Sequence, residues 1–313
     1  MTGVTTVTGG YDYEVKKYFD GVLLDRDQRF FIYNLFAQRR KLPKQSSKTI
    51  ILRKQDNFDD TPAVLVEGVT PALEQASKFD VEIQVQQFGK VTAISDTIAV
   101  TMNDADSEEI ADNLSQTMFG MLDKVTRNTL GSTASQIDCV NGVNGNAVTE
   151  VTVSDLDEAL DYLHGNNAKK FTPIVPASNG VGTSPVDASF WGMMHTDLRK
   201  DIRGLSSFIR IREYPRDDSL QSELGATDEM RWVMSSEGMK SAGATPIYGL
   251  VMTGQNGYGI VDIDEVATQM IIKPLGAGED YLNQRQTMGF KAFFGAGVIE
   301  DKWLVNLRCT VSS

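Results

Sequence analysis

Cysteine stands at only two of 313 positions, Cys139 and Cys309, too few for a disulfide framework. Cys309 continues an apolar alternation through Trp303, Val305, Leu307 and Val311, which reads as a small core residue. Histidine is equally scarce. His164 and His195 are the whole supply, so His-rich metal sites and His-based catalytic arrays have few candidates. No apolar run reaches the roughly 20 residues of a membrane span. Residues 1–10 are small, polar and uncharged, without the basic start and apolar segment of a secretory signal. The expectation is synthesis in a reducing cytoplasm, with no membrane partner. There is no internal repeat and no heptad.

Catalytic signatures are missing as well. His195-Thr196-Asp197 offers a base and an acid, but residues this close in sequence are not expected to face each other, and spacing places no nucleophile. His164 reads as the polar end of a helix. The run Gly254-Gln255-Asn256-Gly257-Tyr258-Gly259 lacks the Gly-Lys-Ser/Thr ending of a phosphate loop. It lies between two strand candidates, where turn chemistry accounts for Asn-Gly. The expectation is a structural or binding protein rather than an enzyme, with no catalytic, cofactor or metal residues.

Charge is present and unevenly spread. The chain carries −12 overall, yet residues 14–54 hold eleven Lys and Arg against four acids. That segment is either a docking strip for acidic neighbours or a solvated face. The acidic remainder repels nucleic-acid backbone at long range.

The clearest pattern lies in residues 48–100. Phe79, Val81, Ile83 and Val85 alternate with Asp80, Glu82 and Gln84, the period of a strand with one wet and one dry face. Phe88-Gly89 reads as a bulge before a further apolar run at 91–94. Residues 49–53 form the partner strand, and a long turn-rich connection joins the two. An isolated two-stranded ribbon is marginal in water. Burying the four apolar side chains is worth about 1.5–3 kcal/mol each, gross. Something must therefore cover the dry face, either the chain's own core or another copy of the chain.

Elsewhere, 13–38 reads as an aromatic arm, helical in pieces. The strongest helix is 107–130, with Asp106 and Glu109 as a capping box, Gly131 as its left-handed stop, and an apolar stripe of Ile110, Leu114, Met118, Met121, Leu122 and Val125. A second helix follows at 156–164, capped by Ser154. Thr196 caps a short helix at 197–204. Strands are expected at 171–176, 190–194, 208–211, 231–234, 247–252, 259–263, 268–272, 288–298 and 303–311.

Several short strings, in order, resemble the major capsid proteins of tailed phages, in particular the N-four-like group of the Hong Kong 97-like fold. Tyr18-Phe19-Asp20 with Leu23-Leu24 is similar to that family's arm. Pro43-Lys44, Lys48-Thr49-Ile50, Glu67-Gly68-Val69-Thr70-Pro71, Gln87-Phe88-Gly89 and Ile94-Ser95-Asp96 are similar to its extended loop. His195-Thr196-Asp197-Leu198 with Asp201-Ile202-Arg203, Glu223-Leu224-Gly225 before Arg231, Leu282-Asn283-Gln284-Arg285 and Gly289-Phe290-Lys291 follow. Thr196 stands where the family prefers Pro, and Tyr281 where Asp-Pro is typical.

The resemblance implies an α+β fold. Its parts are an N-terminal arm over 1–44, an extended β-hairpin loop over 45–100, a peripheral domain over 101–167 and 267–313 with a spine helix at 107–130, and an axial domain over 168–266. It implies that the extended loop lies on a neighbouring subunit. Inter-subunit contacts would then come from Tyr18, Phe19, Arg39, Arg40, Glu67, Val69, Pro71, Phe79, Val81, Ile83 and Val85. The implied function is self-assembly into hexamers and pentamers of an icosahedral head, made in a bacterial host cytoplasm and ending in the virion. The head would enclose double-stranded DNA without sequence-specific binding, with a portal and possible scaffolding and decoration proteins as further partners. An encapsulin-type compartment is the alternative within the fold, and a soluble cytosolic enzyme with an unrecognised site the alternative outside it.

Overall fold

The computed structural model describes residues 31–55, 58, 61–62, 64, 67–68, 73, 75–96, 105–132, 135–173, 185–214, 219–220, 222–263, 268–276 and 282–312. The longest strand, β14 (Arg285–Val298), is the axis of a five-stranded sheet. Along one edge it pairs antiparallel with β4 (Gln86–Ser95) over its first ten residues. Along the other edge it takes two strands in succession, β13 (Thr268–Lys273) and then β12 (Tyr258–Ile263). β1 (Gln38–Leu42) closes the sheet by parallel pairing with β12.

β4 runs without a break through Phe88-Gly89, where the sequence suggested a bulge. A Cβ on Gly89 would lie 2.7 Å from the Phe290 carbonyl oxygen, so this glycine permits close strand approach. Met288, Phe290, Ala292 and Phe294 point to one face of β14 and pack against α1 (Ala105–Ser132). The expected stripe does this packing: Leu114, Met118 and Leu122 are buried, with Ile110, Met121 and Val125 partly so. The helix continues through Gly131 instead of stopping there. Gly131 has no left-handed φ, and a Cβ on it would meet Met239 Cε at 2.8 Å, so its smallness serves packing.

The second sheet has eight strands in the order β5-β15-β11-β6-β9-β8-β7, with β10 beside β11. They are β5 (Ser135–Asp138), β6 (Phe190–His195), β7 (Phe208–Arg210), β8 (Glu223–Thr227), β9 (Met230–Ser235), β10 (Met239–Lys240), β11 (Tyr248–Thr253) and β15 (Leu304–Cys309). Both faces are covered, so β6 and β11 read as continuous buried runs rather than alternations. On one face lie α2 (Val153–Gly165) and α3 (Arg199–Gly204), through Leu156, Leu160, Leu163 and Ile202. On the other face lie Tyr33, Phe36 and Leu130.

These pairings change the expected grouping. α2 and β15 were assigned with the spine helix, but both belong with the eight-stranded sheet. Leu156 and Leu163 share one core with Val305 and Leu307, and β15 is hydrogen-bonded to β11 and β5. A further difference lies at residues 33–37, read as helical. These residues form turns, and the basic stretch after them is the edge strand β1. The start of the strand expected at 171–176 is irregular, and residues 174–176 lie outside the described set.

Two caps also differ. Thr152, not Ser154, caps α2, in a capping box with Asp155. His195, not Thr196, caps the turn Thr196–Leu198 that precedes α3.

Candidate assembly surfaces

β2 (Thr49–Gln55) and β3 (Lys78–Gln84) form a two-stranded antiparallel ribbon, the register pairing Ile50 with Ile83, Leu52 with Val81 and Lys54 with Phe79. Its dry face has two different fates along its length. At the root, Ile83 is 1% exposed and shares a core with Val85, Leu42 and Val261 of the same chain. The root crosses β14 where that strand has glycines. A Cβ on Gly297 would lie 2.6 Å from Ile83 Cγ1, and one on Gly295 would lie 2.6 Å from the Gln84 carbonyl oxygen. Lys54, further out, forms an ion pair with Glu300.

Towards the tip the apolar cover thins, although the Lys54–Glu300 pair reaches this far. Val81 is half-buried, and Phe79 is 56% exposed. The dry face is thus shared: the chain's own sheet covers the root, reaches Leu52 in part, and leaves Phe79 more than half exposed. Neither of the two simple expectations, own core or second copy, describes the whole ribbon.

Of the remaining contact candidates, Glu67 is exposed in the connection between β2 and β3. Arg39 and Arg40 are exposed on β1, opposite Ile260 and Val261. Charged side chains of this kind protect an edge strand from unwanted pairing. Tyr18, Phe19, Val69 and Pro71 lie outside the described residues.

Sequence reasoning missed how residues 33–36 are held. Asp123 on α1 accepts the backbone N–H groups of Tyr33 at 3.0 Å and Asn34 at 3.2 Å. Thr126 donates to Asn34 Oδ1 at 2.6 Å, and Tyr258 Oη donates to the Tyr33 carbonyl at 2.5 Å. Phe36 stacks on Trp191 at 4.7 Å. Residues 33–36 therefore tie α1 to the eight-stranded sheet. Burial pushes the Asp123 carboxyl up to about 7, against the opposing pull of the two N–H donors and Arg127. The signal available in sequence was weak: one acid on the polar flank of an apolar stripe.

The histidines serve local structure. His195 Nδ1 accepts the Asp197 backbone N–H at 3.0 Å, the role of a helix cap. The Asp197 carboxylate does approach the ring, at 3.4 Å from Nδ1, contrary to the expectation from their spacing. It is engaged elsewhere, accepting from Lys240 Nζ at 2.9 Å and Tyr248 Oη at 2.8 Å. Those two donors hold it below the usual carboxylate range. His164 pairs with Glu229, which also binds Lys170 at 2.6 Å. Gly254–Gly257 forms the turn between β11 and β12, with Asn256 at φ +64°.

No family model matches the sequence, and no curated protein matches it either. Solved structures do match. The capsid of Ralstonia phage GP4 superposes with a TM-score of 0.64 at 10% identity, covering 91% of this chain and 90% of that one. The fold is that of phage capsid proteins. The capsid of cyanophage P-SCSP1u gives 0.62 at 14% identity, covering 91% and 89%. The mature capsid of bacteriophage PhiM1 gives 0.58 at 10%, covering 90% and 88%. Coverage on both sides leaves no large part of either chain without a counterpart.

Proposed function

We propose that the chain is the major capsid protein of a tailed phage, with a Hong Kong 97-like subunit of the N-four-like group, assembling as hexamers and pentamers into an icosahedral head around double-stranded DNA. The observation that carries this reading is a capsid-protein fold matched over nine-tenths of the chain, together with a ribbon on which the chain leaves Phe79 more than half exposed. The three solved neighbours are phage capsids, which favours a head over an encapsulin-type compartment.

On this reading the five-stranded sheet with α1 is the peripheral unit, and the eight-stranded sheet with α2 and α3 is the axial unit. The ribbon is the extended loop, and Phe79 and Val81 meet a neighbouring subunit. Residues 1–30 continue from the Asp123 anchor as a second clasp. Each contact is modest, but every subunit has several neighbours, and closure of the shell multiplies the effect. The net charge of −12 keeps packaged DNA from adhering to the wall. A portal, with scaffolding and decoration proteins, completes the set of partners.

The test is expression of the chain by itself, followed by size-exclusion chromatography and negative-stain microscopy. Capsomers or megadalton particles are expected. A lone monomer or a small closed oligomer at every concentration contradicts the proposal.

A further inference from the structure

Three Asn-Gly pairs lie among the described residues, Asn141-Gly142, Asn144-Gly145 and Asn256-Gly257; a fourth, Asn179-Gly180, lies outside them. This dipeptide carries a chemistry of its own. Glycine has no Cβ to shield its backbone nitrogen, which can attack the carboxamide carbon of the preceding side chain and displace ammonia. The attack needs that nitrogen free and the carboxamide held over it. The three pairs meet these needs differently.

At Asn141 the nucleophile is taken, since the Gly142 N–H donates to Thr149 Oγ1 at 2.9 Å. Asn141 Nδ2 is held by the Asp155 carboxylate at 2.8 Å. A Cβ on Gly142 would lie 2.7 Å from Glu150, so this segment has little room to turn. At Asn256 the Gly257 N–H donates to the Gly254 carbonyl at 3.2 Å, and the Gly257 carbonyl accepts from Ile299 and Glu300 at 2.9 Å. That residue is fixed at both ends.

Asn144 is the exception. Among the described residues nothing accepts from the Gly145 N–H. Gly145 is exposed, at φ +74°, with open space where a Cβ would stand. Asn144 Oδ1 accepts the Asn146 N–H at 3.1 Å, which bends the side chain back across the Gly145 peptide. The same N–H faces the oxygen on which negative charge develops during attack. Nδ2, the leaving nitrogen, donates to Thr310 Oγ1 at 2.5 Å, and that hydroxyl donates to the Val148 carbonyl at 3.1 Å. Two hydrogen bonds thus hold the electrophile in one rotamer beside an unengaged nucleophile.

We propose that Asn144 is a site of spontaneous deamidation, with water as the co-reactant, and that its conversion unlatches the loop 140–148 from Thr310. The Gly145 nitrogen bonds to Asn144 Cγ, the Cγ–Nδ2 bond breaks, and Nδ2 leaves as ammonia with the proton given up by Gly145. Water then opens the cyclic imide at either carbonyl, giving aspartate or isoaspartate. The product has a carboxylate in place of the donor to Thr310, and an ionised carboxylate only accepts. It also stands near Glu150, whose carboxylate accepts the Val143 and Asn144 N–H groups at 2.8 and 2.9 Å. Repulsion between the two charges loosens those bonds as well. Val143, 91% exposed on this loop, is released with it. The change is one-way, so it accumulates with the age of the chain. It concerns the single chain and does not rest on the shell reading.

The test ages the dispersed full-length chain in mildly alkaline buffer, beside a sample unfolded in urea, and maps peptides by mass spectrometry with isoaspartate resolved. In the folded chain Asn144 is expected to convert at least tenfold faster than Asn141 and Asn256, with isoaspartate among the products. In urea the three rates should converge. Gly145→Ala is expected to slow conversion at Asn144 at least tenfold, and circular dichroism checks its folding. Amide exchange at 140–148 should quicken in aged wild type and in Asn144→Asp. It should stay slow in Asn144→Gln, which keeps the donor and closes an imide far less readily.

Conversion of Asn144 no faster than of the other two in the folded wild-type chain overturns the site, as does a product of aspartate alone. Conversion that leaves exchange at 140–148 unchanged overturns the unlatching.

Discussion

Ile83 fills the space that a side chain on Gly297 would need: a Cβ there would sit 2.6 Å from Ile83 Cγ1. Ile83 is a branched core residue at 1% exposure and has nowhere to swing. Gly297→Val is therefore expected to lift the ribbon root from the sheet. Overpacking of this kind costs about 1–3 kcal/mol. Urea unfolding should show the loss, with Ile83→Ala in the Gly297→Val background recovering part of it. An unchanged midpoint would separate the ribbon root from the stability of the sheet.

Asp123 makes the arm anchor sensitive to pH. Its carboxyl titrates near 7 when folded, against an ordinary value of 3.8. The folded chain therefore holds a proton that the unfolded chain has released. The associated stability is complete below pH 3.8, declines as pH rises, and is gone above about pH 7. Between pH 6 and 8 the expected decline is about 1 kcal/mol. Asp123→Asn keeps an acceptor for the Tyr33 and Asn34 N–H groups while removing the titration. Urea unfolding of this variant should show a flatter profile over that interval.

Glu223 and Arg231 form a bidentate pair at 2.7 and 2.8 Å inside the eight-stranded sheet, with Tyr214 donating to the same carboxylate at 2.8 Å. The Arg231 guanidinium lies 4.6 Å from the centre of the Trp191 ring. Arg231→Met alone strands a buried carboxylate and is expected to cost about 3–5 kcal/mol. Arg231→Met with Glu223→Leu should recover most of that. A double-mutant cycle in urea measures the coupling.

Cys139 and Cys309 are both fully buried and unpaired by disulfide. The neighbouring Cys309 thiol, followed by burial, pushes the Cys139 thiol well above its usual range. Neither is expected to react with a maleimide in the native chain, and both should react in denaturant, as intact mass would show.

Much of the architecture was legible in sequence, for identifiable reasons. The stripe on α1 and the alternation at 79–85 are periodic, and each periodicity has one geometric solution. The ribbon pairing followed from two such segments flanking a turn-rich connection. What escaped depends on contacts remote in sequence. Nothing local marks Asp123 as the acceptor for Tyr33, ninety residues away. The placement of α2 and β15 in the eight-stranded sheet is likewise a matter of which core they share. β1 was hidden because Gln38-Arg39-Arg40-Lys41 has no apolar alternation: as an edge strand it buries only Leu42. The split fate of the ribbon's dry face was also unreadable, since Phe79 and Ile83 have equal standing in the pattern.

The central claim is that the ribbon tip is held by a neighbouring subunit while its root is held by its own. Amide hydrogen exchange on dispersed and assembled protein measures this directly. Residues 82–85 should be protected in both states, whereas residues 51–54 and 78–81 should exchange at least tenfold more slowly once assembled. Equal protection of the tip in dispersed and assembled protein would contradict the account.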